Sequence, residues 1–124
     1  MSPSSLPRVD HPFGDLIGLT PEPSEPGHSR FTLELQKRLM NPHNVVHGAV
    51  AYAMADTGMG MALYPLLQPG ELCATVEIKI AYMGTAREGT LTCDTHVTHK
   101  GRKIAFLESR VAHGEHLIAT ATGT

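Results

Sequence analysis

Asp56 is the only formal charge between Gly48 and Leu67, in the stretch GAVAYAMADTGMGMALYPLL. Taking a bare carboxylate into a low-dielectric interior costs on the order of several kcal/mol. A carboxylate kept in such surroundings is expected to have a raised pKa and to be a stronger base than a surface aspartate. Eight residues earlier, Gly48 and Ala49 open the same helix-forming stretch. The first N–H groups of a helix lack intrahelical acceptors and carry partial positive charge. Gly48 has no side chain to keep an incoming oxygen away from them. A base and a pair of amide donors suit chemistry in which negative charge develops on an oxygen.

Other candidate groups carry less. His43 and His47 are four apart, as in a helical metal pair. Pro42, Asn41 and Asn44 place His43 in a loop, with no third ligand nearby, so no metal is expected. Lys100, Arg102 and Lys103 cluster at a hairpin turn, and Arg87 stands apart; all four are candidates for meeting phosphates. The net charge of −2 and otherwise scattered basic residues argue against nucleic acid as a partner. Cys73 and Cys93 fall in strand-like runs without CxxC spacing and are expected to be reduced core thiols of a cytoplasmic protein. No apolar run reaches the ~18–20 residues of a membrane span. The N-terminal MSPSSLPRVDHPFG does not resemble a secretory signal.

The elements that position these groups follow from periodicity. Residues 1–12, rich in Pro and Ser, are expected to be a flexible tail preceding a single domain over 13–124. HPFGDLIGL suits a short helical turn before Gly18, and TPEPSEPGH an extended, edge-like segment. SRFTLELQKRL alternates Phe31, Leu33 and Leu35 against Thr32, Glu34 and Gln36, which predicts a half-buried strand. MNPHNVV reads as a loop, with Asn44 suited to a left-handed backbone. From His47 to about Leu67 the chain is almost wholly apolar and rich in Ala and Met, which predicts a helix buried on most sides. Pro65 is expected to end it or to sit in a last irregular turn. LCATVEIKIAYM, GTLTCDTHVTH, RKIAFLESRVAH and HLIATATGT alternate as strands, with turns at Lys100-Gly101 and Gly114-Glu115. In the first of them Ala74, Val76, Ile78, Ile80 and Tyr82 share one face, opposite Thr75, Glu77 and Lys79. A strand, a central helix and about four strands in a meander make an α+β fold, an antiparallel sheet wrapped around one helix.

The spacing Asn41-x5-His47-Gly48-x7-Asp56, then a strand holding Thr75 and ending IAYMGTAREG, resembles the hotdog-fold acyl-CoA thioesterases. The match is to their phenylacetic-acid-degradation (PaaI-like) branch, over about Phe13 to Thr124. Members commonly read His-Gly-Gly where this chain has His47-Gly48-Ala49, so Ala49 bears on how closely a thioester approaches the helix start. The resemblance implies hydrolysis of an aryl-acetyl-, aryl- or medium-chain acyl-CoA, with coenzyme A as part of the substrate and no separate cofactor. It implies that Asp56 activates water or attacks directly, and that Thr75 from the same subunit holds the water. It further implies that the Gly48 N–H of the partner polarises the thioester carbonyl. Asn41 is expected to fix the carbonyl or the water, and His47 to organise the loop or assist at the sulfur. Ala49, Arg87, Lys100, Arg102 and Lys103 complete the expected substrate and coenzyme A contacts.

Gly48 and Asp56 are ~12 Å apart along a helix, at 1.5 Å per residue. One thioester carbon cannot touch both in a single chain. Two such helices set antiparallel across a two-fold axis bring the start of one beside the middle of the other. The expectation is therefore a homodimer with two composite sites, and a dimer of dimers beyond it. Two other functions fit the same fold: a hydratase or dehydratase of acyl thioesters, and a non-catalytic acyl-CoA binding module.

Overall fold

The structure, a computed structural model, describes residues 11–124. The tail expected at 1–12 lies outside the described residues except for His11 and Pro12. Pro12 opens the first helix, α1 (Pro12–Ile17), and His11 caps it. His11 Nδ1 accepts the Gly14 N–H at 2.7 Å, and Gly18 closes the helix in the left-handed conformation at φ 83°.

Strand β1 (Leu19–Pro21) is the short edge piece that the proline-rich segment predicted. Strand β2 (His28–Glu34) buries Ser29, Phe31 and Leu33 and turns His28, Arg30 and Thr32 outward. A loop follows, with Asn44 at φ 61°, as its residue type foretold. The long helix α2 runs over Gly48–Leu63, and Pro65 sits in a tight 3-10 turn over Tyr64–Leu66. Strands β3 (Ile78–Tyr82), β4 (Thr90–Lys100), β5 (Ala105–His113) and β6 (His116–Gly123) complete one antiparallel sheet.

The strand order is β1-β2-β4-β5-β6-β3. The expected four-strand meander is therefore corrected: β4, β5 and β6 form one, but β3 pairs with β6 at the far edge. Helix α2 carries the chain from β2 across the sheet to that edge, and β4 returns to the middle beside β2. The strand expected from Leu72 is also shorter than its alternation suggested. Ile78 lies opposite Gly123, where β6 gives out, so the residues before it have only Thr124 to bond with. As a result Cys73, Ala74, Thr75, Val76 and Glu77 are exposed in the chain. Cys73 is thus not the core thiol that the sequence implied, and Ala74 and Val76 do not line the core. Cys93 is buried as expected, and burial pushes its thiol up to about 11.

Helix α2 lies on the inner face of the sheet. Val50, Ala51, Ala53, Met54, Ala55, Gly58, Met59 and Ala62 are buried there. Around them Leu33, Leu91, Val111 and Ala119 close a core at the N-terminal half of the helix. Leu107 and Ala121 close a second at its C-terminal half. Burying each of the Leu, Val and Met side chains among them contributes roughly 1.5–3 kcal/mol. Small residues let the helix approach closely. Ser29, Thr95, Ser109 and Ala121 stand side by side across four strands. Ser29 Oγ donates to the Gly58 carbonyl at 2.6 Å above that row.

The helix is not closed all round. Ala49, Tyr52, Asp56, Gly60 and Leu63 form a stripe at helical spacing that is exposed or half-buried. The free edge of the sheet next to β3 is also open, with Leu72 90% and Val76 75% exposed.

Candidate active site

The site is built from the start of α2 upward. His47 stands before the helix as its cap, with an extended backbone, and its Nδ1 accepts the Ala49 N–H at 2.9 Å. The sequence reading gave both Gly48 and Ala49 as free donors; the structure commits the Ala49 N–H to His47. The Gly48 N–H has no acceptor among the described residues. It is the remaining donor at the positive end of the helix dipole.

Tyr82, from the end of β3, covers the same turn. Its Oη donates to the Gly48 carbonyl at 2.7 Å. A Cβ on residue 48 would lie 3.1 Å from Tyr82 Cζ, so glycine is what allows the ring this close. Burial, and then the neighbouring Tyr52, raise the Tyr82 pKa. Alternation put Tyr82 on one face with Ile78 and Ile80, yet at the end of the strand its side chain is half exposed. No local signal announces its contact with Gly48, 34 positions earlier.

Two turns along, Asp56 is half-buried rather than enclosed, so one chain alone does not supply the burial expected of it. Its nearest partner is Thr75. The Thr75 hydroxyl donates to Asp56 Oδ1 at 2.6 Å. Alternation had put Thr75 with Glu77 and Lys79, facing away from the core. Because no regular strand exists before Ile78, that pattern does not bind Thr75, and its segment folds back over the helix stripe. Asp56 Oδ2 has no partner among the described residues.

The other candidate residues are distributed as follows. Asn41 shapes the loop before the helix: its Oδ1 accepts the His43 and Val45 N–H groups at 2.9 and 3.3 Å. Its side-chain amide has no partner among the described residues. Lys100, Arg102 and Lys103 are exposed at the β4–β5 hairpin. A surface groove of about 570 Å³ there is lined by His99, Gly101, Arg102, Lys103, Ile104 and Phe106. Arg87 is exposed just before β4, at its other end. The 11 residues of β4 separate Arg87 from the hairpin by ~35 Å, so one chain does not gather all four cations at one phosphate. Among the described residues no group of three or more His, Cys, Asp or Glu side chains is arranged to hold a metal. Nor is any helix there long and apolar enough to cross a membrane.

The chain therefore carries a free amide donor at a helix start, and a threonine-held carboxylate on an open stripe. The family model described as Thioesterase superfamily matches residues 43–119, which span the cap, the helix, Thr75 and most of the sheet. The chain belongs to the Thioesterase superfamily. A Pseudomonas aeruginosa protein named as an esterase is 32% identical to this thioesterase over 92 residues, covering 73% of this chain and 69% of that one. The solved structure of the conserved protein PA5202 from the same species superposes with a TM-score of 0.84 at 27% identity, covering 92% and 91% of the two chains. A Ralstonia eutropha JMP134 protein described as a phenylacetic acid degradation-related thioesterase superposes with a TM-score of 0.87. It is 20% identical and the match covers 98% of this chain and 92% of that one. At that identity the likeness speaks for the fold alone. The fold is the hotdog fold, as the resemblance implied, and the protein is a thioester hydrolase.

Proposed function

We propose that this thioesterase hydrolyses an aryl-acetyl-, aryl- or medium-chain acyl-CoA to the free acid and coenzyme A, using sites shared between two copies. The observation that carries the reading is the Thr75–Asp56 contact on the open stripe of α2. Thr75 occupies Oδ1 and leaves Oδ2 to take a proton from water. The hydroxide so formed attacks the thioester carbonyl carbon. The resulting oxyanion is held by the Gly48 N–H of the other copy. Collapse breaks the carbon–sulfur bond, and the coenzyme A thiolate leaves and takes up a proton. General-base help of this kind contributes typically ~10²–10⁴-fold. The reaction needs only water and substrate, so no cofactor enters it.

The need for a second copy comes from distance. Gly48 and Asp56 share one helix and lie ~12 Å apart along it. An antiparallel neighbour closes that gap, and Tyr52, midway between them, then sits at the two-fold axis. The stripe of α2 and the free edge of β3 are the surfaces such a copy would cover. Tyr52 on the stripe and Leu72 and Val76 at the edge are large apolar side chains that such a copy would take out of water. A dimer of dimers is the assembly we expect beyond it. The open space in front of Gly60, one turn past Asp56, leaves room for the partner's loop or the acyl group.

Lys100, Arg102 and Lys103, or Arg87, are the proposed contacts of the coenzyme A phosphates, and Ala49 borders the thioester. Asn41 offers its side-chain amide near the helix start. We place the reaction in the cytoplasm, in keeping with two free thiols. The test is a thiol-release screen over acyl-CoA chain length and aromaticity, with wild type and Asp56→Asn side by side. Release by wild type and its collapse in Asp56→Asn are expected. No release from any acyl-CoA overturns the reading. Tight binding without release indicates a binding module, and hydration of an enoyl-CoA indicates a hydratase.

A further inference from the structure

One peptide unit at the start of α2 is held at both ends by side chains. Its carbonyl oxygen, on Gly48, accepts from Tyr82 Oη at 2.7 Å. Its N–H, on Ala49, donates to His47 Nδ1 at 2.9 Å. Phenol, amide and imidazole thus form one unbroken chain of hydrogen bonds. Donation to a carbonyl polarises its amide and strengthens the bond that the N–H makes, so the two contacts support each other.

The residue between them needs such support. Glycine has more backbone freedom than any other residue. Gly48 precedes the first full turn, where no intrahelical bond fixes its N–H. The Tyr82 ring lies where a side chain on residue 48 would begin, and the two hydrogen bonds fix the plane of the following peptide. The Gly48 N–H itself belongs to the preceding peptide, whose carbonyl, on His47, accepts the Val50 N–H at 2.9 Å. With the peptides on both sides of Gly48 held, the direction of its N–H is determined. Raised by burial and by Tyr52, the Tyr82 phenol keeps its proton at neutral pH and remains a donor. With Nδ1 accepting, a neutral His47 carries its proton on Nε2.

We propose that Tyr82 and His47 are positioning residues, which clamp the Gly48–Ala49 peptide so that the Gly48 N–H faces the thioester carbonyl. This rests on the reading of that N–H as the oxyanion donor. The clamp accounts for a tyrosine where alternation alone asks only for an apolar residue. It also assigns His47 to geometry rather than to proton transfer. An error of ~1 Å in the placement of a reacting group can cost up to ~10²-fold in rate.

The experiment pairs backbone and rate measurements on the full chain. Tyr82→Phe keeps the ring and removes the donor. His47→Ala removes the acceptor, and His47→Asn restores a side chain able to cap a helix. In ¹⁵N-labelled protein, Tyr82→Phe and His47→Ala are expected to speed hydrogen exchange of the Ala49 amide by about 10-fold. With phenylacetyl-CoA both lower kcat by about 10-fold and leave KM within about twofold, as loss of orientation without loss of contact requires. His47→Asn is expected to recover most of both losses. Unchanged Ala49 exchange in both variants overturns the clamp, as does faster exchange with undiminished kcat. A rise in KM in place of the fall in kcat assigns Tyr82 to substrate contact and overturns positioning. If wild type releases no thiol from any acyl-CoA while Ala49 exchange responds as expected, the clamp stands and the thioesterase reading of this site falls.

Discussion

The Thr75 hydroxyl donates to Asp56 Oδ1 at 2.6 Å, joining a segment without regular structure to the middle of the longest helix. It places the one acid of α2 under the control of a residue 19 positions later. Thr75→Val should therefore lower kcat by about 10-fold, and Thr75→Ser should restore it, since only the hydroxyl matters. Asp56→Asn should cost ~10²–10⁴-fold. Thiol-release rates at saturating acyl-CoA check both. A Thr75→Val enzyme as fast as wild type removes Thr75 from the site.

Gly58 fixes how deep α2 sits on the sheet. A Cβ at that position would meet Thr95 Oγ1 at 2.5 Å, and that oxygen is already bonded to Ser109 Oγ at 2.7 Å. Gly58→Ala is expected to destabilise by about 1–3 kcal/mol through overpacking, despite the better helix propensity of alanine. Adding Thr95→Ala removes the clashing atom, so the double variant should lose less than the two single losses summed. Urea midpoints for the four proteins measure the coupling.

Tyr52 is 40% exposed in the single chain and lies midway between Gly48 and Asp56 along α2. In the proposed pair it meets its own counterpart at the two-fold axis, so Tyr52→Asp sets two like charges against each other in an apolar seam. The expected result is a monomer by solution scattering, with kcat/KM falling by at least ~10²-fold because each site loses one half. A Tyr52→Asp protein that stays dimeric places the interface elsewhere.

Asp94 makes stability depend on acid. Burial opposes its charge, but hydrogen bonds from Arg30 at 2.8 Å and His28 at 3.3 Å outweigh that and hold the carboxyl below its usual range. A depressed folded-state pKa contributes stability above the unfolded pKa of about 3.9, and loses it as pH falls through the folded value. Asp94→Asn should therefore melt below wild type at pH 7, and the gap should narrow as pH falls below about 4. A gap that widens in acid reverses the sign and refutes the assignment. His28 also stacks on His96, with ring centroids 4.3 Å apart, so Asp94→Asn loosens one member of that pair as well.

The readable parts of this protein were those set by local pattern. Alternation is strict along β2, and along β4 as far as Val97, because one face meets the helix and the other meets water. The helix could be placed within a few residues because its apolar run is bounded by Asn-Pro on one side and Pro65 on the other. Asn44, Gly18 and the turn at Gly114 followed from the backbone conformations those residue types tolerate. The spacing from Asn41 to Asp56 was legible as well, since all of it lies on one loop and one helix.

Most of what failed depended on partners distant in sequence. The strand read from Leu72 has the right alternation, but a strand exists only where another strand meets it, and β6 ends opposite Ile78. That one fact exposed Cys73, freed Thr75 from the face alternation gave it, and moved β3 to the edge of the sheet. The Ala49 amide looked free because helix rules leave the first donors open; the ring of His47, two residues before, occupies it.

By itself the sequence determined the element types, the buried faces of β2 and the first part of β4, and the presence of an acid and a helix start on one apolar helix, because these follow from side-chain period and backbone sterics. Only the tertiary structure decided which distant side chains reach those groups: Thr75 on the carboxylate and Tyr82 on the first peptide. Such contacts are fixed by strand register and by where each strand runs out, and no local spacing encodes either.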